Sequence, residues 1–228
     1  MRLLFVVIFF GVSVTSFSQD MTPLVMKIKA KLDQVNDYEA EGKMKTDIAF
    51  IKAPVGKVRV YYKKPNKFRL KKDGGISLLP KGGVSVNMNS IFTTTDFVAL
   101  AAGESVINGV KTKVVKLLPN NENSDIVLTT MYIDEPNLLV RKSVITTREN
   151  GTYTIEMNYS RYAQYGLPDK VIFSFNTKDY YLPKGITLEF DDTEKPAEAE
   201  KLKNRKGKVE ITYSNYVINK GVRDEVFR

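Results

Sequence analysis

From Tyr38 onward the chain alternates apolar and polar residues in one short segment after another, with turn-forming residues between them. "YEAEGKMKTDIAFI" alternates loosely and "GKVRVYYKKP" clearly. "KFRLKKDG", "GVSVNMN", "VKTKVVKLLP", "DIVLTTMYID", "NLLVRKSVITT", "GTYTIEMNY", "DKVIFSFN", "GITLEF" and "KGKVEITYSNYVIN" continue the series. A period of two is that of a strand with one buried face. Lys64-Pro65-Asn66, Asp73-Gly74-Gly75, Lys81-Gly82-Gly83, Pro119-Asn120-Asn121, Glu135-Pro136-Asn137 and Glu149-Asn150-Gly151 supply the turns, and Asn-Gly is the strongest hairpin signal among them. The pattern predicts roughly ten strands in one antiparallel meander, with no fixed-period repeat and no linker, hence one domain. A sheet of that size must curl, split into a sandwich, or have its inner face covered.

Three segments depart from period two. "TPLVMKIKAKLDQVND" offers Thr22 as N-cap, Pro23 at the first helical position, and Leu24, Ile28, Leu32 and Val35 at helical spacing, which predicts an amphipathic helix over 22–36. "TTTDFVALAAGE" sets Phe97, Leu100 and Ala101 before Gly103 and predicts a short apolar helix near 95–102. These two helices are the expected cover for a half-closed barrel. The stretch 191–207, "DDTEKPAEAEKLKNRKG", has almost no apolar content and reads as a hydrophilic loop insertion.

Met1-Arg2, the apolar run Leu3 to Val14 and then Ser16-Phe17-Ser18 read as a secretory signal peptide over 1–18, cleaved near Ser18-Gln19. The apolar run is too short to span a bilayer, which needs roughly twenty residues. The expected product, 19–228, is a soluble periplasmic protein.

Composition narrows the chemistry. The 228 residues include neither cysteine nor histidine, so disulfides, thiolate or histidine metal sites, and serine–histidine or cysteine nucleophiles are excluded. A lipid anchor on a cysteine at the cleavage site is excluded as well. Carboxylates remain, but Asp134-Glu135 precedes Pro136 in an evident turn, and Asp191, Asp192 and Glu194 lie in the hydrophilic stretch. The chain is therefore expected to be no enzyme and to need no cofactor. Its formal charge of +9 favours anionic partners. Export argues against nucleic acid.

The signal peptide, the helix running into "LDQVNDYEAEGKM", the hairpin "VRVYYKKPNKFRL", the short apolar segment in the middle, and "VVKLLP" ahead of a strand that turns at "DEPN" resemble, in that order, the LolA/LolB-like superfamily of periplasmic outer-membrane lipoprotein carriers. The resemblance covers nearly the whole mature chain, and "YYKKPNKFRL" is its best motif. It implies a mainly β (α+β) fold: an incompletely closed, antiparallel barrel of about eleven strands with a helical lid over a hydrophobic cavity. It also implies a monomeric carrier of lipoprotein acyl chains or other lipids, working between an inner-membrane donor and an outer-membrane acceptor. An envelope scaffold or stress sensor on the same fold is the alternative. The family's lid-holding arginine is matched by Arg69.

Ile28, Leu32, Met88, Phe92, Phe97, Val98, Leu100, Met131, Phe173 and Phe175 are the candidate cavity-lining residues, with ordinary core as the plain reading. Lys63, Lys64, Lys67, Lys71 and Lys72 crowd one hairpin. They read either as a charged strand edge or as contacts to lipid headgroups or an acidic partner. Alternation sets Arg69 on the same side as Lys67 and Lys71. Either those lysines snorkel out at the barrel mouth, or Arg69 is a surface arginine. The tyrosines at 158–168, 180–181 and 213–216 are expected to be half-buried sheet residues.

Overall fold

Alternation along each strand decides which side of the sheet a residue faces, and the partner of an inward residue on the next strand faces inward too. The computed structural model describes residues 19–47, 55–73, 96–149, 151–176 and 206–227. After one helix, α1 (Thr22–Leu32), come β1 (Asp37–Asp47), β2 (Gly56–Lys63), β3 (Lys67–Lys72), β4 (Phe97–Ile107), β5 (Val110–Pro119), β6 (Ile126–Asp134), β7 (Leu139–Thr147), β8 (Thr152–Asn158), β9 (Lys170–Asn176) and β10 (Lys206–Ile218). The ten strands form one sheet in the order β3-β2-β1-β10-β9-β8-β7-β6-β5-β4. Every described pairing is antiparallel, so the expected meander is present. Its first and last strands meet where β1 pairs with β10.

The sheet is curved and open. Register shifts at Glu41/Gly42, Ala101/Glu104, Ile126/Leu128 and Tyr132/Ile133 add local bends. Tyr62, Ala40, Met131, Ile155, Phe173 and Ile211 on the inner face join Leu24, Val25, Ile28 and Leu32 of α1 in one buried cluster. The helix is the lid on the concave side. It has Pro23 in its first turn, but Met21 and not Thr22 is the N-cap, and Thr22 is already helical; the Thr22 N–H donates to Asp20 Oδ1 at 2.9 Å. The Thr22 hydroxyl, and after it that N–H, hold the Asp20 carboxyl below its ordinary pKa. The helix ends at Leu32, short of the predicted 36, and Val35 packs into the core from the turn that follows.

The predicted helix near 95–102 is instead the start of β4. Its helical spacing of Phe97, Leu100 and Ala101 is overridden by pairing along its length with β5, from Phe97 opposite Pro119 to Ala101 opposite Val115. Met88, Phe92, the segments "GVSVNMN" and "GITLEF", the leader 1–18 and most of the hydrophilic stretch (191–205) lie outside the described residues.

Candidate functional site

The concave face and its lid make up the candidate site. Of the candidate lining residues, Ile28, Leu32, Met131, Phe173 and Phe175 are all buried in the common cluster, and Phe97 is half-buried against it. Leu100 does not belong there. It lies opposite Lys116, on the face away from Ala99 and Leu117, and Val98 shares that outward side and is exposed. The correction follows from the strand: period two turns residue 100 away from the side that residues 97 and 99 face.

Beside the C-terminal end of α1 the inner face is aromatic. Tyr38 contacts Tyr62 and Tyr216 with ring centroids 5.3 and 5.4 Å apart, and Tyr216 contacts Tyr162 and Tyr213 at 4.8 and 5.0 Å. Burial pushes the phenols of Tyr38, Tyr213 and Tyr216 well above their ordinary pKa. The row is held from outside the sheet by the segment 158–169. Arg161 donates to Asp169 at 2.8 Å and to the carbonyls of Ser214 and Tyr213 at 2.8 and 3.0 Å. Tyr216 donates to the Pro168 carbonyl at 2.8 Å. Gly166 is at φ +69°, and a Cβ there would come within 2.7 Å of Leu32 Cδ2. The lid end therefore fits over a glycine that also needs glycine's backbone freedom.

Two lysines, Lys64 and Lys31, tie the C-terminal part of α1 to the rest of the molecule. Lys64 donates to the Asp33 carbonyl just past the last helical residue and to Asn36 Oδ1 at 3.3 Å. A cation there also suits the negative end of the helix dipole. Lys31 donates to the Asn137 carbonyl at 2.7 Å, in the β6–β7 turn. Burial lowers the pKa of Lys31, against the opposing pull of Asp134. Lys29, in the last turn, pairs locally with the C-cap Asp33 at 2.6 Å. The β6–β7 turn is itself built on Asp134, which is nearly fully buried and accepts from Arg141 at 2.6 and 3.1 Å and from Asn137 at 3.0 Å. Burial raises the Asp134 pKa, but the bonds from Arg141 and Asn137 outweigh it and hold the carboxyl below its ordinary value.

Arg69 is elsewhere. It lies opposite Tyr61, while the inward positions on the hairpin are Val60 and Tyr62 with Leu70 and Phe68. The register thus separates Arg69 from α1, against the lid-holding role that the resemblance implied for it, and the alternative of a surface arginine fits its half-buried outer position. The described lid contact from this hairpin is made by Lys64. Lys63 and Lys67 both reach Asp224 in the C-terminal segment, at 2.9 and 3.0 Å, and lower its pKa. Lys71 stands 5.6 Å from the Tyr61 ring. A lysine beside a proline turn was visible in the sequence; that it would reach the helix end depends on tertiary placement.

Among the described residues no group of acidic side chains could hold a metal ion. Two concavities bounded by described residues lie on the outer side of the sheet. One, of about 360 Å³, is lined by Lys43, Lys57, Arg59, Glu41, Asp73, Thr212 and Ser214 among others. The other, of about 380 Å³, lies between Tyr61 and the C-terminal segment.

Among the described residues, a single curved antiparallel sheet with β3 and β4 at its edges and one helix on its concave side is a fold that this chain shares with solved structures. Two solved structures carry that likeness over most of both chains. A domain assigned to outer membrane lipoprotein sorting from Vibrio parahaemolyticus aligns with a TM-score of 0.60 at 13% identity, over 91% of this chain and 95% of its own. A DUF1329 family protein from Desulfovibrio piger aligns at 0.53 and 12% identity, with the same coverage of 91% and 95%. A LolA superfamily protein from Nitrosomonas europaea aligns at 0.49 and 12% identity, over 89% and 96%. At such identities the likeness is one of fold. No protein-family model matches the sequence, and no curated relative matches it either.

Proposed function

We propose that this protein is a non-enzymatic periplasmic carrier that takes the acyl chains of lipoproteins or other lipids against its concave face, under α1, for transfer towards the outer membrane. One observation carries the reading: the inner face of the curved sheet is largely apolar, and Met131, Ile155, Phe173 and Ile211 form one cluster on it with Leu24, Val25, Ile28 and Leu32 of α1. An acyl chain suits such a face. Each methylene kept from water is worth about 0.8 kcal/mol, so a chain of about fifteen contributes on the order of 12 kcal/mol. Release needs a cover that opens; α1 packs four apolar residues into the cluster and is tied at its end by Lys31 to the Asn137 carbonyl and by Lys64 of the hairpin to the Asp33 carbonyl, so both the packing and these bonds must yield.

Native mass spectrometry of the protein purified from its own periplasm tests the reading. The expected result is a lipid or lipoprotein bound in a one-to-one complex, displaced by a fluorescent fatty acid. A protein free of lipid that also fails to bind the probe would overturn it. Capture of an envelope protein by that lipid-free form would favour the scaffold or sensor on the same fold.

A further inference from the structure

The outer face of β1, β2 and β3 sets like charges directly opposite one another. Lys43 faces Lys57 across β1 and β2, and Arg59 faces Lys71 across β2 and β3. Such pairs destabilise a sheet. Arg69 lies one pair further along, opposite Tyr61. Lys63 and Lys67 also oppose each other, but both are engaged by Asp224. Protection of an edge strand accounts for lysines on β3. It does not account for Lys43, Lys57 and Arg59, because β1 and β2 are interior strands.

Lys43, Lys57, Arg59 and Lys71 are exposed. The carboxylates on this face are Glu41, whose Oε1 stands 3.7 Å from Arg59 Nε, Glu39, opposite Tyr61 in the row of Arg69, Asp47 at the end of β1, and Asp73. Lys43, Lys45, Lys57, Arg59, Arg69 and Lys71 outnumber them, six cations to four carboxylates, and three of the six gather at one concavity. The concavity of about 360 Å³ opens among Lys43, Lys57 and Arg59, at the bulge where Ser214 donates to the Glu41 carbonyl. The basic row continues beyond it to Arg69, about 13 Å along the strands and about 10 Å across them. A single phosphate would need only the concavity, whereas several headgroups in a plane would match the whole row.

We propose that this outer face docks on anionic phospholipid surfaces, with a headgroup phosphate seated between Lys43, Lys57 and Arg59. The proposal does not depend on an acyl chain being held on the concave side. It predicts partition onto vesicles of phosphatidylcholine with phosphatidylglycerol, weakened by salt, and none onto phosphatidylcholine alone. Each cation near such a surface is worth roughly fivefold in partition, so Lys43→Gln, Lys57→Gln and Arg59→Gln together lower it on the order of a hundredfold. The single variants, each lowering it about fivefold, keep the test open if the triple variant misfolds. A control with Lys27→Gln, Lys111→Gln and Lys116→Gln removes the same charge from elsewhere and should partition nearly as the unaltered protein does. An equal loss in the control would reduce the effect to net charge and overturn the proposal, as would equal binding to both kinds of vesicle. Displacement from the vesicles by inorganic phosphate at constant ionic strength would mark a site for the free ion and overturn it too.

Discussion

Lys64, in the turn between β2 and β3, donates to the backbone carbonyl of Asp33 at the end of α1. One lysine thereby ties a surface hairpin to the lid, and its removal should loosen the lid more than the sheet. For Lys64→Met we expect a stability loss of about 1 kcal/mol, since the contact is partly solvated. Amide exchange should quicken over α1 and stay unchanged in β7 and β8. If the carrier reading holds, bound lipid should leave faster. Unchanged exchange in α1 would show that Lys64 does not hold it.

Gly166 meets the same helix end from the other side. Gly166→Ala places a Cβ near Leu32 and forces alanine into the left-handed region, for which about 1–2 kcal/mol is expected. Thermal unfolding should fall by about 2–8 °C for a chain of this size. Leu32→Ala combined with Gly166→Ala should cost less than the sum of the two, because the first removes the clash. A double-mutant cycle measures that difference.

The Asp134–Arg141 pair sets an acid limit. The Asp134 pKa is lowered in the folded protein, so its stabilising contribution is complete above the ordinary carboxylate value of about 3.9 and is lost as pH falls through the folded value. Arg141→Met leaves a buried carboxylate with Asn137 as its remaining described partner, at a cost on the order of 3 kcal/mol near neutral pH. Burial then raises the Asp134 pKa, so the deficit should shrink as the pH is lowered and the carboxyl takes up a proton. Denaturant unfolding of both proteins between pH 3 and 7 checks the reversal.

At the alkaline end the buried phenols dominate. Burial, aided by Asp125, pushes the Tyr153 pKa up to about 12, and Tyr38, Tyr213 and Tyr216 are raised as well. Their contribution is intact below the unfolded value of about 10 and is lost as pH rises through the folded values, at about 1.4 kcal/mol per unit for each group. Phenolate absorbance should therefore rise in two stages: exposed tyrosines first, then a cooperative step coincident with unfolding. Tyr153→Phe should move that step to higher pH.

The strands were legible because one buried face imprints a period of two, and α1 because Leu24, Ile28 and Leu32 recur at helical spacing ahead of the polar turn. Residues 97–101 misled for a physical reason. "FVALA" satisfies a helical stripe and a strand equally over five residues, and pairing with β5 decides between them. Gly103, which suggested a helix cap, sits at φ +93° beside the β4 bulge instead. The lid contact of Lys31 and the hold of Arg161 on β10 were hidden because Lys31 reaches a carbonyl 106 positions away and Arg161 reaches one 53 positions away. No local pattern encodes such reach. The basic hairpin was visible at once, but only register separates Lys64 on the lid from Lys63 and Lys67 on Asp224 and from Arg69 on the outer face.

Residues 19–21 bridge to β4, with the Met21 N–H donating to Ala99 and the Ala101 N–H to Gln19. The first helical residue, Thr22, follows Met21 directly. An incoming extended peptide that sought this edge would have to exchange places with residues 19–21. Strand exchange at β4 would tug on α1 with no slack between them, so competition for a sheet edge becomes mechanical work on the cover beside it.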